Sequence, residues 1–218
     1  MGQKQGIISY IQNISLFLLG MFLMFFPLVF TTISTNPIIL SKMTLLGIAV
    51  FVLLLLYAAL TTIERSVKIR RTPFDVPVIL FLVFVFLSAV FSVNRADALM
   101  GFVPFFFAGL IYFIIVNTAK DKNSLLFLMS TLITGAVLSS IFSLLTFFKI
   151  DILPISSTHT QNFSPLGSML DQAIYLVFIL TIAFYSTWRL VKSRLSEGKQ
   201  ELDFQPSKDT AKAFAFGA

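Results

Sequence analysis

The sequence predicts an all-α, polytopic transmembrane helix bundle of about six spans with both termini in the cytoplasm. Three observations lead there. Hydrophobic residues make up 57% of the 218 positions. Charged residues make up only 12%, about half the share in an ordinary soluble domain. The charges also fall between long uncharged runs instead of being scattered through them. A soluble chain of this size has no place to hide so much apolar surface, whereas lipid accepts it directly.

The uncharged runs set the spans. They hold 37 residues between Lys4 and Lys42, 21 between Lys42 and Glu64, and 19 between Asp75 and Arg95. They hold 22 between Asp97 and Lys120, 26 between Lys122 and Lys149, and 17 between Asp171 and Arg189. A helix rising 1.5 Å per residue needs roughly 20 residues to cross a hydrocarbon core of roughly 30 Å. The runs predict helices near 13–33, 43–63, 76–94, 99–117, 124–148 and 171–190, the last at the short limit. Strands are a poor alternative, because apolar residues run continuously instead of alternating. Pro27 and Pro104 fall inside helices one and four, where they are expected to kink or loosen them.

Orientation follows from the basic residues. With the N-terminus inside, thirteen of the sixteen Lys and Arg lie in inner segments. Only Lys42, Arg95 and Lys149 lie outside. Residues 1–190 thus form the transmembrane region and 191–212 a cytoplasmic loop. At 213–218 (Ala213-Phe-Ala-Phe-Gly-Ala218) the chain turns apolar again, as the start of a seventh span of a longer protein.

Several chemistries are disfavoured. Cysteine is absent and histidine occurs once, which leaves no thiolate or histidine-cluster metal site to expect. No ionisable residue lies deep within a span, where proton relays and ion paths place theirs. No P-loop, Gly-x-Ser-x-Gly or His-Glu-x-x-His motif occurs. The basic cluster Arg65, Lys68, Arg70 and Arg71 reads first as a topology determinant and second as a binder of anionic headgroups. Gly135, Ser139 and Ser143 form a small-residue stripe on helix five, and Ser88 with Ser92 another on helix three; both read as helix-packing faces. On the outer side, Arg95, Lys149 and His159 are the candidate binders of a diphosphate, Arg as a bidentate fork and Lys as a point charge. The simpler reading of these three is snorkelling flank residues and one solvated histidine.

From about Leu45 the order of landmarks resembles a known family. Thr72-Pro-Phe-Asp-Val-Pro77 leads into a span ending Leu87-Ser-Ala-Val-Phe-Ser-Val-Asn94, followed by a short turn with Arg95 and Ala98. Gly101 and a Phe-rich span ending near Asn117 come next; later Phe163-Ser-Pro-Leu-Gly-Ser168 directly precedes Asp171-Gln-Ala-Ile-Tyr-Leu176. This order resembles the N-terminal half of the O-antigen ligase and polymerase superfamily of bacterial membrane proteins. The resemblance implies a glycan transferase of the inner membrane, with a polyprenyl diphosphate-linked glycan as partner, acting at the outer face without metal, nucleotide or other cofactor. That family's principal Arg and His residues belong to a later large outer loop, so no catalytic residue is carried over, and His159 does not occupy their position. The alternative expectation is half of a transporter or flippase, or a non-catalytic membrane subunit.

The absence of cysteine makes the orientation testable with single substitutions. An impermeant thiol reagent applied to intact cells should label Ser157→Cys and leave Ser196→Cys unlabelled; the reverse pattern inverts the topology.

Overall fold

The computed structural model describes the backbone of residues 2–30, 38–64, 69–148 and 164–202, and the side chains there except 2–5, 190 and 193–202. The described residues form six α-helices: α1 Gly2–Phe25, α2 Ile39–Glu64, α3 Asp75–Val90, α4 Arg95–Thr118, α5 Lys122–Phe147 and α6 Met169–Leu202. An isolated bridge between Ser164 and Gly167 is the only strand-like pairing among the described residues. Five helical segments are long and apolar enough to cross a membrane: Gly6–Phe25, Ile39–Glu64, Arg95–Thr118, Lys122–Phe147 and Met169–Arg189. The chain is a multi-pass membrane protein. Only 11% to 22% of each segment's most apolar stretch is buried inside the protein, so most of its side chains face outward. Phe51 and Phe84, for example, are 64% and 67% exposed.

The third helix departs from its expected span. It ends at Val90 instead of running to Asn94, so its 16 residues reach only about 24 Å. The Phe91 and Ser92 N–H groups fold back onto Leu87 and Ala89 oxygens, and Asn94 donates from Nδ2 to Asp97 at 2.5 Å, which opens α4 at once. The short member of the set is therefore α3, and α6 is amply long. Helix α1 also ends early. Pro27 stands in the turn after Phe25 and not within a kinked helix, because proline has no N–H to donate and disfavours the α conformation in Phe26 before it. Pro104 does lie within α4, and the helix continues through it to Thr118. Beyond the expected end of the last span, α6 runs on through residues 191–202, a stretch rich in Lys, Arg, Glu, Gln and Leu that favours helix in water. The expected seventh-span start at 213–218 lies outside the described residues.

The chain divides into two compact units, Met1–Ile179 and Leu180–Ala218. Within the first, α1 is the central post and packs against α5, α2 and α4. The core joins Leu19 of α1, Leu46, Val50 and Leu53 of α2, Ile111 and Ile114 of α4, and Leu128 of α5. Helices α3 and α4 form an antiparallel hairpin zipped by Phe81 on Phe105 at 5.8 Å and Phe86 on Phe102 at 5.3 Å. The pair α1 and α5 runs parallel. A methyl group added at Gly20 would meet Phe127 at 2.6 Å, and one at Gly135 would meet the Met24 carbonyl oxygen at 2.5 Å.

Gly135 thus lets two backbones approach closely, the role small residues have in lipid. The rest of its stripe, Ser139 and Ser143, is buried as expected. The stripe expected on α3 does not pack: Ser88 is exposed and Ser92 lies in the turn beyond the helix. Hydroxyls along α5 bond to their own helix carbonyls, as Thr134 does to Ser130 at 2.8 Å and Ser140 to Ala136 at 2.8 Å, which avoids leaving donors bare in hydrocarbon.

Gly135→Ala should destabilise the bundle by about 1–3 kcal/mol, since the obstacle is backbone and cannot swing aside. Gly101→Ala, with nothing within 4 Å of its added carbon, should be neutral or slightly stabilising. Thermal unfolding of the two variants in detergent checks the contrast; equal midpoints would contradict the close α1–α5 approach.

Candidate functional site at the start of α6

A polar assembly of serine, aspartate and glutamine side chains sits where α6 begins. Ser168 and Asp171 form a reciprocal helix cap. The Ser168 N–H and hydroxyl donate to Asp171 Oδ2 at 3.1 and 2.7 Å, and the Asp171 N–H donates to Ser168 Oγ at 3.1 Å. This satisfies N–H groups that a helix start leaves open. Just upstream, the Gly167 N–H donates to the Ser164 carbonyl at 3.0 Å, closing a tight turn in which Gly167 takes φ 131°, a conformation suited to glycine.

One helical step after the cap, Gln172 ties this turn to α5. Its Oε1 accepts from Ser164 Oγ and Ser143 Oγ, each at 2.5 Å, and its Nε2 donates to the Ser139 carbonyl at 3.2 Å. Ser164 and Ser139 are wholly buried, and Gln172 and Ser143 are each 5% exposed. Ser164 Oγ also accepts from the Leu166 N–H at 3.2 Å. The outcome is a loop of fixed shape pinned at the end of a membrane helix. Tyr175, one turn further along α6, has a buried hydroxyl with no hydrogen-bond partner among the described residues.

Basic groups surround this end unevenly. Lys42, in the first turn of α2, is partly buried and lies within Coulombic range of Asp171. Arg95 opens α4 and is exposed. Lys149 and His159 lie outside the described residues, so Arg95 is the one of the three expected phosphate binders whose position is known. In the sequence Lys42 is only an outer flank charge. The signal for this site is the spacing Ser168-x-x-Asp171 followed at once by Gln172, a cap signature to which intervals between charges are blind.

At the opposite end, the connections α2–α3 and α4–α5 are fastened together. The Arg70 N–H donates to Asn117 Oδ1 at 3.0 Å and its guanidinium to the Lys120 carbonyl at 3.2 Å. Asp75 accepts from Thr72 Oγ1 at 2.6 Å and from Tyr112 Oη at 2.8 Å, while the Thr72 and Tyr112 hydroxyls bond each other. Arg70 is therefore partly engaged in joining loops. Among the described residues no group of three or more His, Cys, Asp or Glu could hold a metal ion.

No protein-family model, no curated protein and no solved structure matches the chain.

Replacing Gln172 with Ala removes the acceptor of two buried hydroxyls and should cost about 1–3 kcal/mol per group left unpaired. Hydrogen exchange at residues 164–168 should accelerate in Gln172→Ala and change little in Ser130→Ala, whose hydroxyl bonds only its own helix. An unchanged exchange rate would show that the loop is held by something other than Gln172.

Proposed function

We propose that this chain is the N-terminal membrane part of an O-antigen ligase-like glycan transferase of the bacterial cytoplasmic membrane. In this reading all six helices cross the bilayer, including the short α3, which thins the lipid around it. Both termini face the cytoplasm. The charge distribution supports that orientation, with thirteen of the sixteen Lys and Arg on the proposed inner side. The start of α6 then faces outward.

The observation that carries the proposal is the pinned loop Ser164–Ser168 with its Gln172 anchor, and Lys42 within Coulombic range of the neighbouring Asp171. A rigid polar rim at the end of an apolar bundle suits a donor with a charged head and a lipid tail. The donor is a glycan on undecaprenyl diphosphate. An acceptor hydroxyl oxygen bonds the anomeric carbon as the bond to the diphosphate breaks, and the diphosphate leaves with its charge. Lys42, Arg95 and Lys149 stabilise that developing charge. The base that takes the acceptor's proton is not assigned to this part of the protein.

In the full-length protein, Arg95→Ala and Lys42→Gln should each lower glycan transfer about ten- to a hundredfold, the size expected for a charge-assisted contact, without lowering membrane levels. Unchanged transfer in both removes the proposed rim from the reaction. Lipid translocation without transfer would favour a flippase.

A further inference from the structure

The end of the bundle away from Gln172 combines a basic rim with an apolar hollow that opens beside it. The connection α2–α3 holds Arg65, Lys68, Arg70 and Arg71 and no acidic residue, and Lys120 and Lys122 flank Asp121 in the connection α4–α5. Of the other acids at this end, Asp75 is taken up by the Thr72 and Tyr112 hydroxyls. Glu64 lies on the wall of a separate cleft, together with Lys120.

The hollow lies between α2 and α4. It is lined by Leu54, Tyr57, Ile69, Phe113, Ile114 and Asn117, and counted to its open mouth it encloses about 340 Å³. Leu54 and Ile69 are 38% and 56% exposed, so the mouth lies at the bundle's surface. The wall offers water nothing to bond. The Tyr57 hydroxyl is sealed inside the protein, and Asn117 is committed through both amide atoms. Its Oδ1 accepts from the Arg70 N–H at 3.0 Å, and its Nδ2 donates to the Phe113 carbonyl at 2.8 Å. An apolar hollow of this kind does not hold ordered water and suits hydrocarbon.

Asn117 also fixes where the charge sits. By holding the Arg70 N–H it sets residue 70 at the hollow's edge, next to Ile69 in its wall. The Arg70 guanidinium donates to the Lys120 carbonyl at 3.2 Å, which steadies its plane. The side chain is exposed, and the other N–H groups of the fork are left for an anion.

We propose that this place binds an anionic phospholipid, with its phosphate on the Arg70 guanidinium and one acyl chain in the hollow between Leu54 and Phe113. The planar fork matches two phosphate oxygens at once. Arg71 and Lys122 add positive charge to the rim, which favours a lipid of net negative charge over a zwitterion whose ammonium they repel. The bound lipid bridges α2, α4 and the loop between α2 and α3. The inference is independent of glycan transfer and uses no residue of the α6 assembly.

The test uses the full chain, purified in detergent and stripped of lipid, with binding of phosphatidylglycerol, phosphatidylethanolamine and phosphatidylcholine of matched acyl chains measured by native mass spectrometry. Phosphatidylglycerol should bind about tenfold more tightly than either of the others, the size of one charge-assisted contact. Arg70→Gln should remove that preference, whereas Lys192→Gln, which deletes a basic residue of α6, should keep it. Leu54→Trp, which fills the hollow from a surface position, should weaken phosphatidylglycerol about tenfold and unfold at the parent's temperature without lipid. That variant decides the matter if Arg70→Gln does not fold. Excess inorganic phosphate should leave the lipid bound, because it cannot use the hollow; displacement would reassign the site to a free anion. Equal binding of the three lipids would overturn the proposal. So would an equal loss of preference in Arg70→Gln and Lys192→Gln, which net charge alone explains, or phosphatidylglycerol binding untouched by Leu54→Trp.

Discussion

Hydrocarbon leaves a backbone N–H or C=O no partner outside its own chain, and this constraint governs the whole molecule. Each long apolar stretch answers it by closing its hydrogen bonds within a helix. The same constraint reaches the side chains. Serine and threonine along α5 turn their hydroxyls onto their own carbonyls, and where they do not, as at Ser143, the partner is a buried amide on the next helix. Polar groups that project beyond the apolar stretches are tied into compact assemblies at the helix ends. The two largest polar side-chain networks among the described residues therefore lie at opposite ends of the bundle.

Packing between helices answers a different problem. Because lipid is as apolar as leucine, burying leucine gains little, and close fit becomes the means of association. The α1–α5 pair shows this at Gly135, where even a methyl group has no room beside the Met24 carbonyl. Around that post the core is modest, and many large side chains remain exposed to the membrane. The α3–α4 hairpin relies instead on stacked phenylalanines and on the Asp75, Thr72 and Tyr112 network at its open end.

Much of the fold was legible in the sequence, because intervals between charges report how much chain can lie in hydrocarbon. The helices α2, α4, α5 and α6 cover the spans those intervals put them on, whereas α1 begins and ends several residues before its expected span. What intervals cannot report is where a helix stops inside an uncharged run. Val90 ends α3 through a backbone turn closed by the Phe91 and Ser92 N–H groups, and Pro27 follows the end of α1, and neither event changes the charge pattern. The site was legible only in part. Arg95 and Lys42 stood out as isolated outer charges, but the hub at Gln172 depends on Ser143, far away in sequence and brought close only by the meeting of α5 and α6.

The central claim is that the exposed aromatic and aliphatic side chains of these helices face lipid acyl chains and not water. Spin labels at Phe51→Cys, Phe84→Cys and Phe178→Cys, in a chain with no other cysteine, test it in reconstituted vesicles. Relaxation at all three sites should be strongly enhanced by dissolved oxygen, which concentrates in the bilayer, and weakly by a water-soluble nickel chelate. Strong enhancement by the nickel chelate with little effect of oxygen would place these helices in water and contradict the account.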